Sequence, residues 1–102
     1  NAKISLHPRL YILSEEDRLP YENVQINSSR GRWGSCSSRK KINLSYFLVL
    51  LPKHLIDYVL LHELCHTCEM NHGDRFWDLL NGLTDGKALE LREELKKYKT
   101  EI

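Results

Sequence analysis

No apolar run in this chain approaches the roughly 18–20 residues needed to cross a bilayer. The longest, Tyr46 to Leu51, is far shorter. A membrane-spanning helix is therefore not expected, and the opening residues do not follow the charged, apolar, small-residue order of a signal peptide. Cysteine is scarce and odd in number. Cys36, Cys65 and Cys68 are too few for a disulfide framework and fit a reducing, cytoplasmic compartment. Charge of one sign is not in excess: Lys and Arg total 15 against 14 Asp and Glu, so nothing global draws the chain to nucleic acid or anionic lipid. Repeats and low-complexity stretches are absent as well. What remains is 102 residues, 41% hydrophobic and 28% charged, the composition of one globular domain spanning 1–102. Because the chain opens on Asn1 and Ala2 rather than Met, it is expected to be a piece of a longer protein, or to carry two extraneous residues.

The segments divide into a strand-like first half and a helical second half, which predicts an α+β fold. Pro8 followed by Arg9 to Leu13 reads as a short helix with proline in its first turn. Val24-Gln25-Ile26, Trp33 to Ser38 and Ile42 to Phe47 alternate as half-buried strands do, and their order suggests a small antiparallel meander. Pro52 opens a helical pattern in which Leu55, Val59, Leu60, Leu64 and Cys68 share a broad apolar face. Phe76, Trp77, Leu79 and Leu80 predict a further helix stopped by Gly82. Thr84 or Asp85 then caps a last helix reaching about Tyr98.

The chemistry lies on the third of these patterns. His62-Glu63-Leu64-Cys65-His66 is an H-E-x-x-H sequence, and a helix projects its two histidines from one face about a turn apart. Two imidazoles so placed can share one ion. Zn2+ accepts imidazole nitrogen readily, and its catalytic sites take three protein ligands and leave a position for water. Glu63 stands about 100° round the helix from His62, which suits a carboxylate that acts as general base on that water instead of binding the ion. The third ligand has four candidates: His72, Glu69, Cys65 and Cys68. His72 is preferred, provided the helix ends first, because in a continuing helix it would lie about 9 Å along and 120° away from His66. Asn71, tolerant of the left-handed conformation, and Gly73 offer a place to turn near Asn71. Glu69 also suits an exposed helix face, and Cys65 with Cys68 reads better as buried, inert thiols than as a redox pair.

Arg32-Trp33-Gly34-Ser35-Cys36-Ser37-Ser38, Ile42-Asn43-Leu44, Ile56-Asp57-Tyr58-Val59, the H-E-x-x-H run, Asn71-His72 and Phe76-Trp77 together closely resemble the YgjP-like metallopeptidase family. The resemblance spans roughly Tyr21 to Leu80. It implies a compact zincin fold with a small antiparallel sheet against the metal helix, ligands His62, His66 and His72, catalytic Glu63, and a polypeptide substrate. Weaker similarity extends to SprT-like and Wss-like zincin domains. Some members of the family carry the label of nucleotide pyrophosphatase, so metal-dependent nucleotide hydrolysis is the alternative enzyme reading.

Other features carry less. Arg30, Arg32, Arg39, Lys40 and Lys41 surround Trp33 and could meet phosphates, as in a nucleic-acid-associated module, but a solvated hairpin loop is the simpler reading. Asp57 precedes the metal helix's first histidine by just over a turn and could orient an arginine or a ligand histidine. Arg75, Tyr46 and His54 are candidates by residue type for stabilising an oxyanion.

Overall fold

The structure is a computed structural model that describes residues 2–19, 21–27 and 33–98. Among these, four helices and three strands follow the order α1 (Ala2–Asp17), β1 (Asn23–Asn27), β2 (Gly34–Cys36), β3 (Lys41–Ser45), a 3₁₀ helix (Tyr46–Leu50), α2 (Lys53–Cys65), α3 (Asp74–Leu83) and α4 (Ala88–Leu95). The α+β class holds. The expected antiparallel meander does not: the sheet is mixed, in the order β1-β3-β2, with β1 parallel and β2 antiparallel to β3. The reason is connectivity. Ser37 to Lys40 form a tight turn, with Lys40 at a φ of 62° and the Ser37 hydroxyl accepting from the Arg39 and Lys41 N–H groups. That turn joins β2 to β3 as a hairpin and leaves β1 to take the other side of β3. Val24 then pairs with Ile42 and Ile26 with Leu44, which lines up the apolar residues of both strands.

β3 ends earlier than its sequence pattern implies. The Ser45 hydroxyl accepts from the Phe47 N–H and caps the 3₁₀ helix that holds the apolar run, so Tyr46 and Phe47 leave the sheet. α1 is longer than predicted and contains Pro8. Proline removes one bond of the helical ladder there, but Leu10 and Leu13 are buried and Arg9 is tied to Asp57 of α2 by two bonds of 2.9 Å. Tertiary packing thus overrides the local signal. This fork, which raises the Arg9 pKa through its hydrogen bonds to Asp57, answers what Asp57 orients: it is an arginine, and through it α1.

α2 is apolar nearly all round, burying Leu55, Tyr58, Val59, Leu60, Leu61, Leu64 and Cys65, as a helix surrounded by other elements must. It packs against α1, β2, α3 and α4. α3 continues past Gly82 to Leu83. α4 begins only at Ala88, later than a Thr84 or Asp85 cap implies, because Asp85 and Gly86 take positive φ in the connecting turn. The Asn81 side chain in α3 accepts from the Ala88 N–H at 3.1 Å and so caps α4 from outside.

Candidate metal centre

α2 presents His62 and His66 from one face, with ring centroids 5.1 Å apart. The helix then stops. Its final bonds tighten to three-residue spacing, from the N–H groups of His66, Thr67 and Cys68 to the carbonyls of Glu63, Leu64 and Cys65. Such 3₁₀-type closure is a common helix end. The Thr67 hydroxyl also donates to the Leu64 carbonyl at 2.7 Å, competing for the acceptor that a continuing helix would use. The expected turn at Asn71 is therefore corrected: α2 ends at Cys65, and Asn71 is not among the residues of positive φ. Ending that early gives the chain enough length to reverse with an ordinary backbone at Asn71.

The reversal brings His72 back. Its Nε2 lies 3.1 Å from Nε2 of His66, and His62, His66 and His72 each offer a ligand atom within 4.8 Å of the others. Two nitrogens bound to one tetrahedral zinc at 2.0–2.1 Å would stand about 3.3 Å apart, so the observed separation suits a shared ion. Hydrogen bonding favours the same conclusion. The Glu69 carbonyl can only accept, so the His66 Nδ1 that meets it at 3.0 Å carries the proton and leaves Nε2 a lone pair in the neutral ring. His62 Nδ1 meets the Glu63 carboxylate at 3.1 Å, which likewise leaves its Nε2 available. Both second nitrogens are thus held in the tautomer that metal ligation needs.

Phe76 of α3 organises the three rings. It is fully buried, stacks on His66 with centroids 4.5 Å apart and meets His62 and His72 edge-on at 5.0 and 4.8 Å. Glu69 contributes its backbone and not its carboxylate. Cys65 is fully buried, and burial raises its thiol pKa to about 12, the inert thiol expected. Cys68 departs from that expectation: it is exposed, because α2 ends before reaching it. Burial, with Glu63 nearby, pushes the Cys36 thiol up to about 11, which keeps it protonated.

Glu63 is 5% exposed, and β2 makes room for it. A Cβ at Gly34 would stand 3.2 Å from Glu63 Cγ and 3.4 Å from its Oε2. Both residues line a cavity of about 590 Å³ whose walls also include His62, His72, Trp33, Trp77 and Tyr58, with Arg92 and Leu95 of α4 and Lys96 and Tyr98 beyond it. The His72 pKa is lowered, first by loss of solvent around the ring and then by the neighbouring His66 and His62.

The residues that side-chain type alone suggests for stabilising an oxyanion lie elsewhere. Tyr46 and Arg75 are exposed, His54 bonds Glu94 at 2.7 Å, and none of the three lines the cavity. Tyr58 does. Burial raises its hydroxyl pKa to about 12, so it stays a donor. Its position one turn before His62 was a readable signal; the approach of Arg92 and Lys96 was not, since it depends on how α4 folds back. Of the basic stretch, Arg30 and Arg32 lie outside the described residues, and Arg39 and Lys40 sit exposed on the hairpin turn.

Three imidazoles on a helix and its return loop, beside a buried glutamate in a zincin-like α+β fold, define the metallopeptidase class. The YgjP-like, metallopeptidase domain family matches residues 1–98, and the chain belongs to that family. No curated protein matches it. Its fold is similar to that of the metallopeptidase zymogen abylysin from Pyrococcus abyssi, with a TM-score of 0.75 and 20% identity over 90% of this chain and 93% of that one.

Proposed function

We propose that the chain is a zinc-dependent peptidase, in which His62, His66 and His72 hold the ion, Glu63 is the general base and the substrate is polypeptide. The observation that carries this reading is the convergence of three imidazoles within 4.8 Å of one another next to a buried carboxylate. An all-imidazole donor set suits zinc and its transition-metal neighbours, whereas Mg2+ and Ca2+ take oxygen ligands. When bound, zinc supplies a Lewis acid and makes water acidic enough to deprotonate near neutral pH.

The chain's own groups do the rest. His62 and His66 are held as Nδ1–H tautomers by Glu63 and the Glu69 carbonyl. Glu63, which lines the cavity, accepts the proton from the attacking water and passes it to the departing amine. Tyr58 remains protonated and lines the same cavity, so its hydroxyl can donate to the carbonyl oxygen as charge develops there. The test is hydrolysis of an unfolded polypeptide by wild type and by Glu63→Gln, both loaded with zinc. Wild-type cleavage that disappears in a metal-retaining Glu63→Gln supports the assignment. Equal turnover in the two overturns it.

Arg92 and Lys96 on the cavity wall favour a second reading, hydrolysis of a nucleotide at its phosphates. Nucleoside triphosphates run beside the polypeptide distinguish the two readings.

A further inference from the structure

Among the described residues that line the cavity, Glu63 is the only acid, and it stands near the histidines. The α4 side carries two cations, Arg92 and Lys96, one helical turn apart. Two cations thus line one wall of the cavity. Both cations already converge on a carboxylate. Arg92 Nη1 lies 3.6 Å and Lys96 Nζ 3.4 Å from the same oxygen, Oε1 of Glu93. They are therefore at most about 7 Å apart, close enough to share one carboxylate between them.

Glu93 is a weak occupant. It does not line the cavity, its side chain is 65% exposed, and exposed ion pairs of this length contribute little. The wall itself is held in place. Ala88 is buried, Asn81 caps the first turn of α4, and Glu94 bonds His54 at the start of α2. A planar guanidinium backed by an ammonium is a well-suited receptor for a carboxylate.

Resting on the peptidase reading above, we infer that Arg92 and Lys96 form a subsite for a carboxylate of the polypeptide substrate, either its C-terminus or an acidic side chain next to the bond that is cut. A triphosphate fits this wall less well. Nucleotide sites spread their charge over several donors and oxygen-bound Mg2+, and this cavity offers two cations and one carboxylate.

Trp33 and Trp77 are the only tryptophans in the chain, and both line the cavity, so intrinsic fluorescence reports binding directly. The experiment titrates zinc-loaded protein with short N-acetylated peptides, comparing free acid with C-terminal amide and internal Glu with Gln, and with a nucleoside triphosphate. The wild type is expected to prefer the carboxylate form by about 10- to 100-fold, by an amount that shrinks as salt rises. The arm showing the preference tells terminal from side-chain recognition. The preference should collapse in Arg92→Glu/Lys96→Glu and recover partly in Arg92→Lys. Arg92 is 46% and Lys96 55% exposed in its side chain, so these variants should melt as the wild type does.

No acid preference in the wild type overturns the inference. So does a preference that survives the double reversal, which would place the carboxylate on the metal, and so does tighter binding of the triphosphate than of every peptide. Hydrolysis of unfolded polypeptide, measured in parallel, tests the peptidase reading separately: its absence alongside a charge-dependent acid preference would remove the reaction and leave the subsite.

Discussion

A methyl group placed on Gly34 would sit 3.1 Å from the Asn43 carbonyl oxygen, 3.2 Å from Glu63 Cγ and 3.4 Å from Glu63 Oε2. Carbon atoms pack comfortably at about 3.5–4.0 Å, so something must yield by a few tenths of an ångström. The Asn43 carbonyl belongs to β3, paired to β1 on one side and to β2 on the other, and is the stiffer neighbour. Glu63 is the one that moves. Gly34→Ala should therefore lower stability by about 1–2 kcal/mol through overpacking, a fall of roughly 5–15 °C in melting temperature for a domain this size. Turnover should drop about tenfold, since a displacement of 1 Å at a catalytic group can cost about a hundredfold. Zinc binding should persist, because no imidazole is touched. Calorimetry, zinc stoichiometry and peptide hydrolysis on the one variant separate these effects. An unchanged melting temperature together with wild-type turnover would show slack at this contact and refute the claim that Gly34 positions the glutamate.

Three further outcomes follow from the same geometry. Glu63→Gln should keep one zinc per chain and lose hydrolysis, since the amide preserves shape without basicity, as metal analysis and turnover would report. His72→Ala should weaken zinc strongly in a chelator competition and Glu69→Ala should not, because Glu69 supplies only its backbone carbonyl to His66; the reverse order would make the site two histidines and a glutamate. Acid should destabilise the metal-free fold through His72: its pKa is lowered on folding, so the unfolded chain gains its proton first, and stability falls as pH drops through about 6.5 towards the folded value. Melting curves of wild type and His72→Ala between about pH 7.5 and 5.5 check this, and identical slopes would contradict it.

The parts legible in the sequence are those set by local periodicity. The helix carrying His62 and His66 could be read because its apolar positions recur at helical spacing, and the inward residues of β3 because Ile42 and Leu44 alternate with polar neighbours. Strand direction could not. Val24 and Ile26 specify a strand with one apolar face, but the same alternation serves a parallel or an antiparallel partner; the tight Ser37–Lys40 hairpin settles which side of β3 is left for β1, not which way β1 runs along it. Pro8 misled for a related reason. It marks a first turn by propensity, yet burial of Leu10 and Leu13 and the Arg9–Asp57 fork act across the fold, where no window of sequence can see them. The cations of the cavity wall were hidden in the same way, on a helix whose docking rests on Asn81 and His54 at distant positions.

His72 comes beside His62 and His66 by a route other than a turn at Asn71. In a helix that continued past His66, His72 would stand about 9 Å away, so its return requires a break, and Asn71 is the nearby residue whose side chain best tolerates a left-handed backbone. The break comes from Thr67 and the carbonyls instead. A threonine hydroxyl can bond the carbonyl one turn back, and at a helix end this competes with the next backbone N–H; here the Leu64 carbonyl receives the hydroxyl of Thr67 as well as its N–H. The carbonyl of Glu69, freed from any helical ladder, then accepts from His66 Nδ1. One early termination thus does three things: it fixes the tautomer of the second histidine, exposes Cys68, and leaves the chain enough length to bring His72 back to within 3.1 Å of His66. The motif names two histidines, and the short segment after it, by failing to remain helical, brings a third beside them.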